Sequence, residues 1–219
     1  ELKELEPIND NLVIKAADLL KKRTDCNKGV EISLQKYIPL QKGLGGGSSD
    51  AAATLIGLNK LWDLGLTRTE LLDISLELGS DVPFFIFGRS AWAEGRGEIL
   101  SEVDFNEEWY LLYMPKAQIS TKKAFENLSS HFSKPYTYEE YFSKGGFNSF
   151  EKWARESYEE VNEIFLKLEK IGKPMLSGTG SSVFVSFSKS EEAESAKQEF
   201  PDGILVKSLE RSPLTQIIE

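Results

Sequence analysis

The spacing of apolar positions changes along the chain, and each change marks a predicted element. From Asn9 to Lys22, Leu12, Ala16, Leu19 and Leu20 recur at helical intervals, predicting an amphipathic helix that Asn9 or Asp10 can cap. Gly29 to Leu34 alternates apolar with polar residues, the pattern of a half-buried strand, and Pro39 ends it. Four glycines follow, and Ser48-Ser49-Asp50 opens an alanine-rich helix with Leu55, Leu58, Leu61 and Trp62 on its buried side. Another helix is predicted from Thr69 to Leu78, stopping at Gly79, before the apolar stretch that Asp81-Val82-Pro83 begins. Trp92 to Glu108 is rich in glycine and acid. Trp109 to Met114 then reads as a strand, and Phe132 to Phe150 as a loop with a short helix. Glu151 to Lys170 has one apolar side made of Trp153, Val161, Ile164, Phe165 and Leu168, predicting a single long helix. A glycine turn at Ser177 to Ser182, a strand at Val183 to Phe187, a helix at Glu191 to Glu199 and a strand at Ile204 to Val206 complete the series. No repeated strand–helix–strand unit appears, so the predicted class is α+β, in two halves joined near residue 100.

Composition narrows the function. The 219 residues are 40% hydrophobic and 28% charged, a globular balance that excludes a disordered tail, a collagen-like fibre or a coiled-coil rod. No apolar run approaches the roughly 18 residues of a membrane span, and no leader precedes Pro7, so a cytoplasmic setting is expected. Cys26 is the only cysteine and His131 the only histidine, which excludes an internal disulfide and a structural zinc site. His131, in a polar Ser-rich stretch, reads as a surface histidine. The net charge of −9 disfavours nucleic acid and anionic membranes as partners, but a few backbone N–H groups can still hold a small anion.

Such a group of N–H donors is encoded at Pro39-Leu40-Gln41-Lys42-Gly43-Leu44-Gly45-Gly46-Gly47-Ser48-Ser49. Glycines admit positive φ and close backbone approach, and the helix that follows adds its positive N-terminal end. The length suits a di- or triphosphate, and Ser48 or Ser49 could meet a phosphate oxygen or Mg²⁺. Three known phosphate loops fail. No lysine follows the glycines as a Walker loop requires, the sixth position from Gly43 is Ser48 rather than glycine, and His-Arg-Asp is absent. Two further features are ambiguous alone. Asp81 reads as a turn aspartate or as a carboxylate that takes a proton from an attacking hydroxyl. The turn Ser177-Gly178-Thr179-Gly180-Ser181-Ser182 reads as a tight connection or as part of a site.

Together these stretches resemble the GHMP kinase superfamily, through Pro39, Gly43-Leu44-Gly45 and Ser48-Ser49. They look most like its 4-diphosphocytidyl-2-C-methyl-D-erythritol kinase family, through Gly43 to Ala52, Asn59-Lys60-Leu61-Trp62, Gly79 to Phe85, Glu94-Gly95-Arg96-Gly97-Glu98 and Ser177 to Ser182. The resemblance runs from about Asn11 to Pro213. It implies a two-domain fold: a nucleotide-binding, ribosomal-protein-S5-like half over 1–100, with 205–219 available to rejoin it, and a ferredoxin-like substrate half over 101–204. It implies transfer of the γ-phosphate of ATP, with Mg, to the 2-hydroxyl of the diphosphocytidyl compound. Pro39 to Ser49 would wrap the phosphates, with Ser48 at the metal. Asn11, Leu12 and Lys36 would line the adenine pocket, and Asp81 would be the catalytic aspartate. Gly178 and Thr179 would border the substrate. Phe125 would stack on cytosine or, on its residue pattern alone, pack as a core side chain of a short helix. The resemblance leaves room for a homodimer.

Two departures stand out. Gln41-Lys42 replaces the family's Gly-Ala or Gly-Gly, removing backbone freedom and adding a charge near a phosphate. The family's opening strand, with Ala-Lys-Ile-Asn-Leu and the lysine that partners the catalytic aspartate, has no counterpart here, implying that a front segment is missing from the sequence. The competing readings are a GHMP kinase for another alcohol, such as homoserine or mevalonate, and a non-catalytic nucleotide-binding relative.

Overall fold

The computed structural model of the chain describes residues 10–128 and 136–218. The readings placed on Asn9 and His131 lie outside those residues. The chain forms two compact units, one of residues 1–39, 45–105 and 209–219, the other of 40–44 and 106–208.

The first unit is mainly helical. Helix α1 spans Leu12–Thr24, and its cap is Asn11 rather than Asn9 or Asp10: the Asn11 side chain accepts from the Val13 N–H at 2.9 Å. Its buried residues are Val13, Ala16, Ala17 and Leu20, so the inward face is rotated from the predicted one. Helix α2, Gly46–Leu61, starts two residues before the predicted serine, because Gly45 takes the cap position at φ 66°. It packs Ala51, Ala52, Leu55, Ile56 and Leu58 with Leu20, Leu71, Val82 and Ile86, while Leu61 is 64% exposed. Helix α3, Arg68–Ser75, carries a reciprocal capping box between Thr67 and Glu70. Helix α4, Val82–Phe87, follows Asp81.

Two predictions for this unit need correction. Residues 29–34 form no strand, because no described chain segment supplies a hydrogen-bonded neighbour; Ile32 and Leu34 are half-buried, while Val30 is exposed. Conversely, the glycine- and acid-rich middle contains a hairpin of β1, Ala91–Glu94, and β2, Ile99–Glu102. Its strands are short and mostly exposed, which is why hydrophobic alternation did not reveal them.

The second unit is a four-stranded antiparallel sheet covered by helices. Strand β3 is Trp109–Tyr113, followed by α5, Thr121–Glu126, and α6, Tyr138–Ser143. The predicted long helix is two, α7 at Glu151–Ser157 and α8 at Glu159–Leu168, broken where Tyr158 adopts extended backbone. Arg155 ties the two together through Glu151, Asn162 and Glu169 while stacking on Phe165. Strands β4, Met175–Leu176, and β5, Val183–Phe187, then α9, Ser190–Glu199, and β6, Ile204–Lys207, complete the unit, before the short α10, Thr215–Ile218, in the first unit. The order β4-β5-β3-β6 with a β-α-β-β-α-β succession is the ferredoxin-like arrangement. Its core holds Leu111, Ile119, Val161, Phe165, Leu168, Val183 and Val185.

Phe165→Ala should therefore lower unfolding free energy by about 3–5 kcal/mol in urea titration, by lost burial plus a cavity. Leu61→Ala, on the exposed side of α2, should change it by less than about 0.5 kcal/mol.

Candidate active site

The glycine loop has carbonyls tied down on one side and N–H groups left free on the other. In the second unit, Gln41 O accepts from Ile119 N–H at 3.3 Å and Lys42 O from Ser182 N–H at 3.1 Å. Gly43 O accepts from the Ser177 hydroxyl at 2.8 Å. The backbone N–H groups of Gln41, Lys42, Gly43 and Leu44 donate no hydrogen bond among the described residues. A run of peptides anchored by its carbonyls with unpaired N–H groups is an anion-binding backbone.

Glycine is required where this loop meets the second turn. Gly43 has φ +69°, and a Cβ there would lie 2.1 Å from Ser177 O. From the other side, a Cβ on Gly178 would stand 3.0 Å from Gly43 O. The two glycine stretches, 134 residues apart, are thus in backbone contact, so the turn at 177–182 is more than a connection. Asn148 shapes it further, donating to Leu176 O and Gly178 O at 2.8 Å each. Nothing in the local sequence around Asn148 signals that task. Thr179, also on this turn, lies 3.5 Å from the Thr121 hydroxyl. Gln41 itself holds φ +56°, a left-handed conformation that a glycine would adopt without strain.

Lys42 does not project from the loop. It is only 6% exposed, and its ammonium donates to Pro115 O at 2.5 Å, Ala117 O at 2.7 Å and Lys116 O at 3.1 Å. Burial pushes its pKa below the ordinary value, partly offset by Glu160. The Glu160 carboxylate accepts from the N–H groups of Lys116 and Ala117 at 2.7 and 2.9 Å. Desolvation acts to raise its pKa, but those two hydrogen bonds and the charges of Lys42 and Lys116 outweigh it and hold the group below its usual range. Phe125 is 60% exposed and meets Phe150 edge-to-face at 5.0 Å, which rules out the core reading.

In the first unit, the same loop continues as the start of α2. The leading N–H groups of a helix have no intrahelical acceptor, and the first α2 bond outside the helix body is Ser49 N–H to Gly45 O, so Gly46, Gly47 and Ser48 offer theirs outward. The Ser49 hydroxyl donates to Gly46 O, whereas that of Ser48 makes no hydrogen bond among the described residues. Around this helix start lie two of the predicted adenine-pocket residues. Leu12 Cδ1 would touch a Cβ on Gly47 at 3.5 Å, and Lys36 Nζ one on Gly46 at 3.5 Å, with Lys36 also paired to Asp50. Asn11 stands beside Leu12, its side chain occupied as the α1 cap. Phe85, which the sequence placed in the motif from Gly79 to Phe85 without a role, fixes the helix start: a Cβ on Gly45 would fall 2.6 Å from its ring.

Phe85 belongs to α4, whose cap position is Asp81. The Asp81 carboxylate is exposed and makes no capping bond, so it is free to act on a ligand. The hairpin turn carrying Glu94 to Glu98 approaches the same bend, since a Cβ on Gly97 would stand 3.0 Å from Ser80 O. The second unit thus presents a loop of unpaired N–H groups and the first an exposed carboxylate, each a group of the kind that phosphoryl transfer uses.

Comparison with known proteins agrees. Residues 11–89 match the model of the GHMP kinases N terminal domain. The 4-diphosphocytidyl-2-C-methyl-D-erythritol kinase of Burkholderia ambifaria is 39% identical over 95% of this chain and 76% of its own length. That of Nitrosococcus oceani is 41% identical over 97% and 78%. The chain belongs to the 4-diphosphocytidyl-2-C-methyl-D-erythritol kinases, a family of GHMP kinases. A crystal structure of a kinase of this family superposes with TM-score 0.77 at 28% identity, covering 93% of this chain and 79% of that one. A homoserine kinase from Cytophaga hutchinsonii superposes at 0.70 with 16% identity, a likeness of fold.

Two outcomes follow for this family member. Gly43→Ala should destabilise the protein by about 2 kcal/mol or more in calorimetry, since both φ and space forbid a Cβ. Glu160 contributes stability that is fully present above its ordinary pKa of 4.5 and is lost as pH falls through its lower folded value. Thermal midpoints between pH 6 and 3 should fall more steeply for the native protein than for Glu160→Gln.

Proposed function

We propose that this chain transfers the γ-phosphate of ATP to the 2-hydroxyl of 4-diphosphocytidyl-2-C-methyl-D-erythritol, giving the 2-phosphate and ADP, in the non-mevalonate route to isopentenyl diphosphate. The observation that carries the reading is the loop from Gln41 to Ser48, whose N–H groups donate no hydrogen bond among the described residues while its carbonyls from Gln41 to Gly43 are anchored. Family membership supplies the substrate; the loop supplies a place for its phosphate donor. The 1–100 region is the nucleotide half in this reading and 101–204 the substrate half.

The N–H groups of the loop and of the α2 start hold the ATP phosphates, and no covalent intermediate is required of the protein. Leu12 and Lys36 lie where adenine would rest beside the helix start. Asp81 accepts or orients the proton of the 2-hydroxyl as its oxygen attacks the γ-phosphorus and the bond to the bridging oxygen of ADP breaks. Gly178 and Thr179 face the substrate from the second turn, and the exposed ring of Phe125 offers a face for the cytosine. The free Ser48 hydroxyl suits Mg²⁺, which keeps most of its ligands as water and phosphate oxygens. That ion would neutralise charge on the transferring phosphoryl group. No helix among the described residues is long and apolar enough to cross a membrane.

Coupled assay of ADP release with the diphosphocytidyl substrate should show turnover. Asp81→Asn should lower kcat by about 10²–10⁴ while ATP still binds, the span expected for a lost general base. Turnover unaffected by Asp81→Asn would remove the assigned role, and activity on homoserine instead would overturn the substrate.

A further inference from the structure

We propose that Lys42 is a positioning residue for the phosphate loop, clamping the loop to the backbone at 115–117 rather than touching a phosphate. The inference rests on the kinase reading of the loop, and it assigns a task to a lysine whose place in the loop suggested a charge beside a phosphate. Three N–H donors of an ammonium meet three carbonyl acceptors, those of Pro115, Lys116 and Ala117, so no donor is left for a ligand. The side chain is buried. On its opposite edge the same backbone segment is gripped by Glu160, which takes the N–H groups of Lys116 and Ala117. Ser181, on the second glycine turn, adds a hydroxyl bond to Ala117 O at 2.5 Å.

The clamp therefore joins three stretches that are far apart in sequence: the loop, the exit of β3 and the turn at 177–182. Its place in the loop decides its effect. Gln41, Lys42 and Gly43 all have anchored carbonyls, and a peptide whose carbonyl is fixed has its neighbouring N–H aimed as well. A charge whose donors are all used to fix backbone raises affinity for the phosphate donor by preorganisation, without approaching it. Removing the ammonium leaves the Pro115 and Lys116 carbonyls without that donor, leaves Ala117 O to the Ser181 hydroxyl alone, and lets the loop's N–H groups wander.

Two measurements test this. In the native protein, amine acetylation followed by mass spectrometry should label Lys42 at least about tenfold more slowly than Lys122 and Lys152, whose side chains are 87% exposed, both with and without Mg-ATP. A Lys42 that reacts at the surface rate and is protected only by ATP would be a phosphate ligand, and the proposal would fall. In steady-state kinetics, Lys42→Met should raise KM for ATP about tenfold with kcat changed less than about threefold. Glu160→Gln should move KM the same way, and the double variant should be less than additive because both act on one segment. A collapse of kcat in Lys42→Met at unchanged KM, or full additivity, overturns it. Should Lys42→Met fail to fold, labelling and Glu160→Gln still decide. A native protein that transfers no phosphate would defeat the kinase reading, and the labelling pattern would judge Lys42 independently.

Discussion

Backbone meets backbone at Gly43 and the Ser177–Gly178 peptide, and the second unit is organised around that approach. A Cβ at Gly43 would sit 2.1 Å from a carbonyl oxygen, well inside any real contact. Only glycine allows the loop to lie against the turn, and only that placement lets the Ser177 hydroxyl anchor Gly43 O. With the carbonyls held, the N–H groups are left for an anion. The requirement is geometric before it is chemical, so a net charge of −9 does not prevent such a loop from accepting a small anion.

The rest of the second unit supports this contact. The antiparallel order β4-β5-β3-β6 places the exit of β3 and the turn before β5 on neighbouring strands, so 115–119 and 177–182 can both reach the loop. The break at Tyr158 starts α8 afresh, with Glu160 in its first turn, where the carboxylate reaches the N–H groups of Lys116 and Ala117. An unbroken helix over 151–170 would carry the same apolar face, yet the observed packing has two helices joined through Arg155. In the first unit the corresponding constraint is Phe85 beneath Gly45, which sets the start of α2 and belongs to the helix that Asp81 precedes.

Lys42 illustrates how charge misleads when read along a chain. A lysine in a candidate phosphate loop suggests a salt link to the ligand. In the fold the side chain turns to three carbonyls and is sealed there. Gln41 is similar: its left-handed φ is tolerated although glycine would suit it better. Both residues hold the loop's path by bonds rather than by flexibility.

Much of this molecule was legible in its residues. Glycine spacing and the serines after it marked a candidate anion loop, because such constraints are local and few residues satisfy them, whereas Asp81 read equally as a turn residue until the family resemblance gave it a role. Strands β3 and β5 announced themselves as short apolar runs and helix α2 by its apolar side, since each buries one face. The β1–β2 hairpin stayed hidden because its exposed strands carry little apolar alternation. Residues 29–34 show alternation without a partner, since a strand exists only when another chain segment supplies its hydrogen bonds. The destination of the Lys42 ammonium, the approach of Gly43 to Gly178, and the tasks of Asn148 and Glu160 depend on segments tens to more than a hundred residues apart, which no local pattern encodes. The sequence by itself determined where glycines and hydroxyls make an anion loop conceivable, because that is local chemistry; only tertiary contact decided which of its N–H groups and charges stay unpaired.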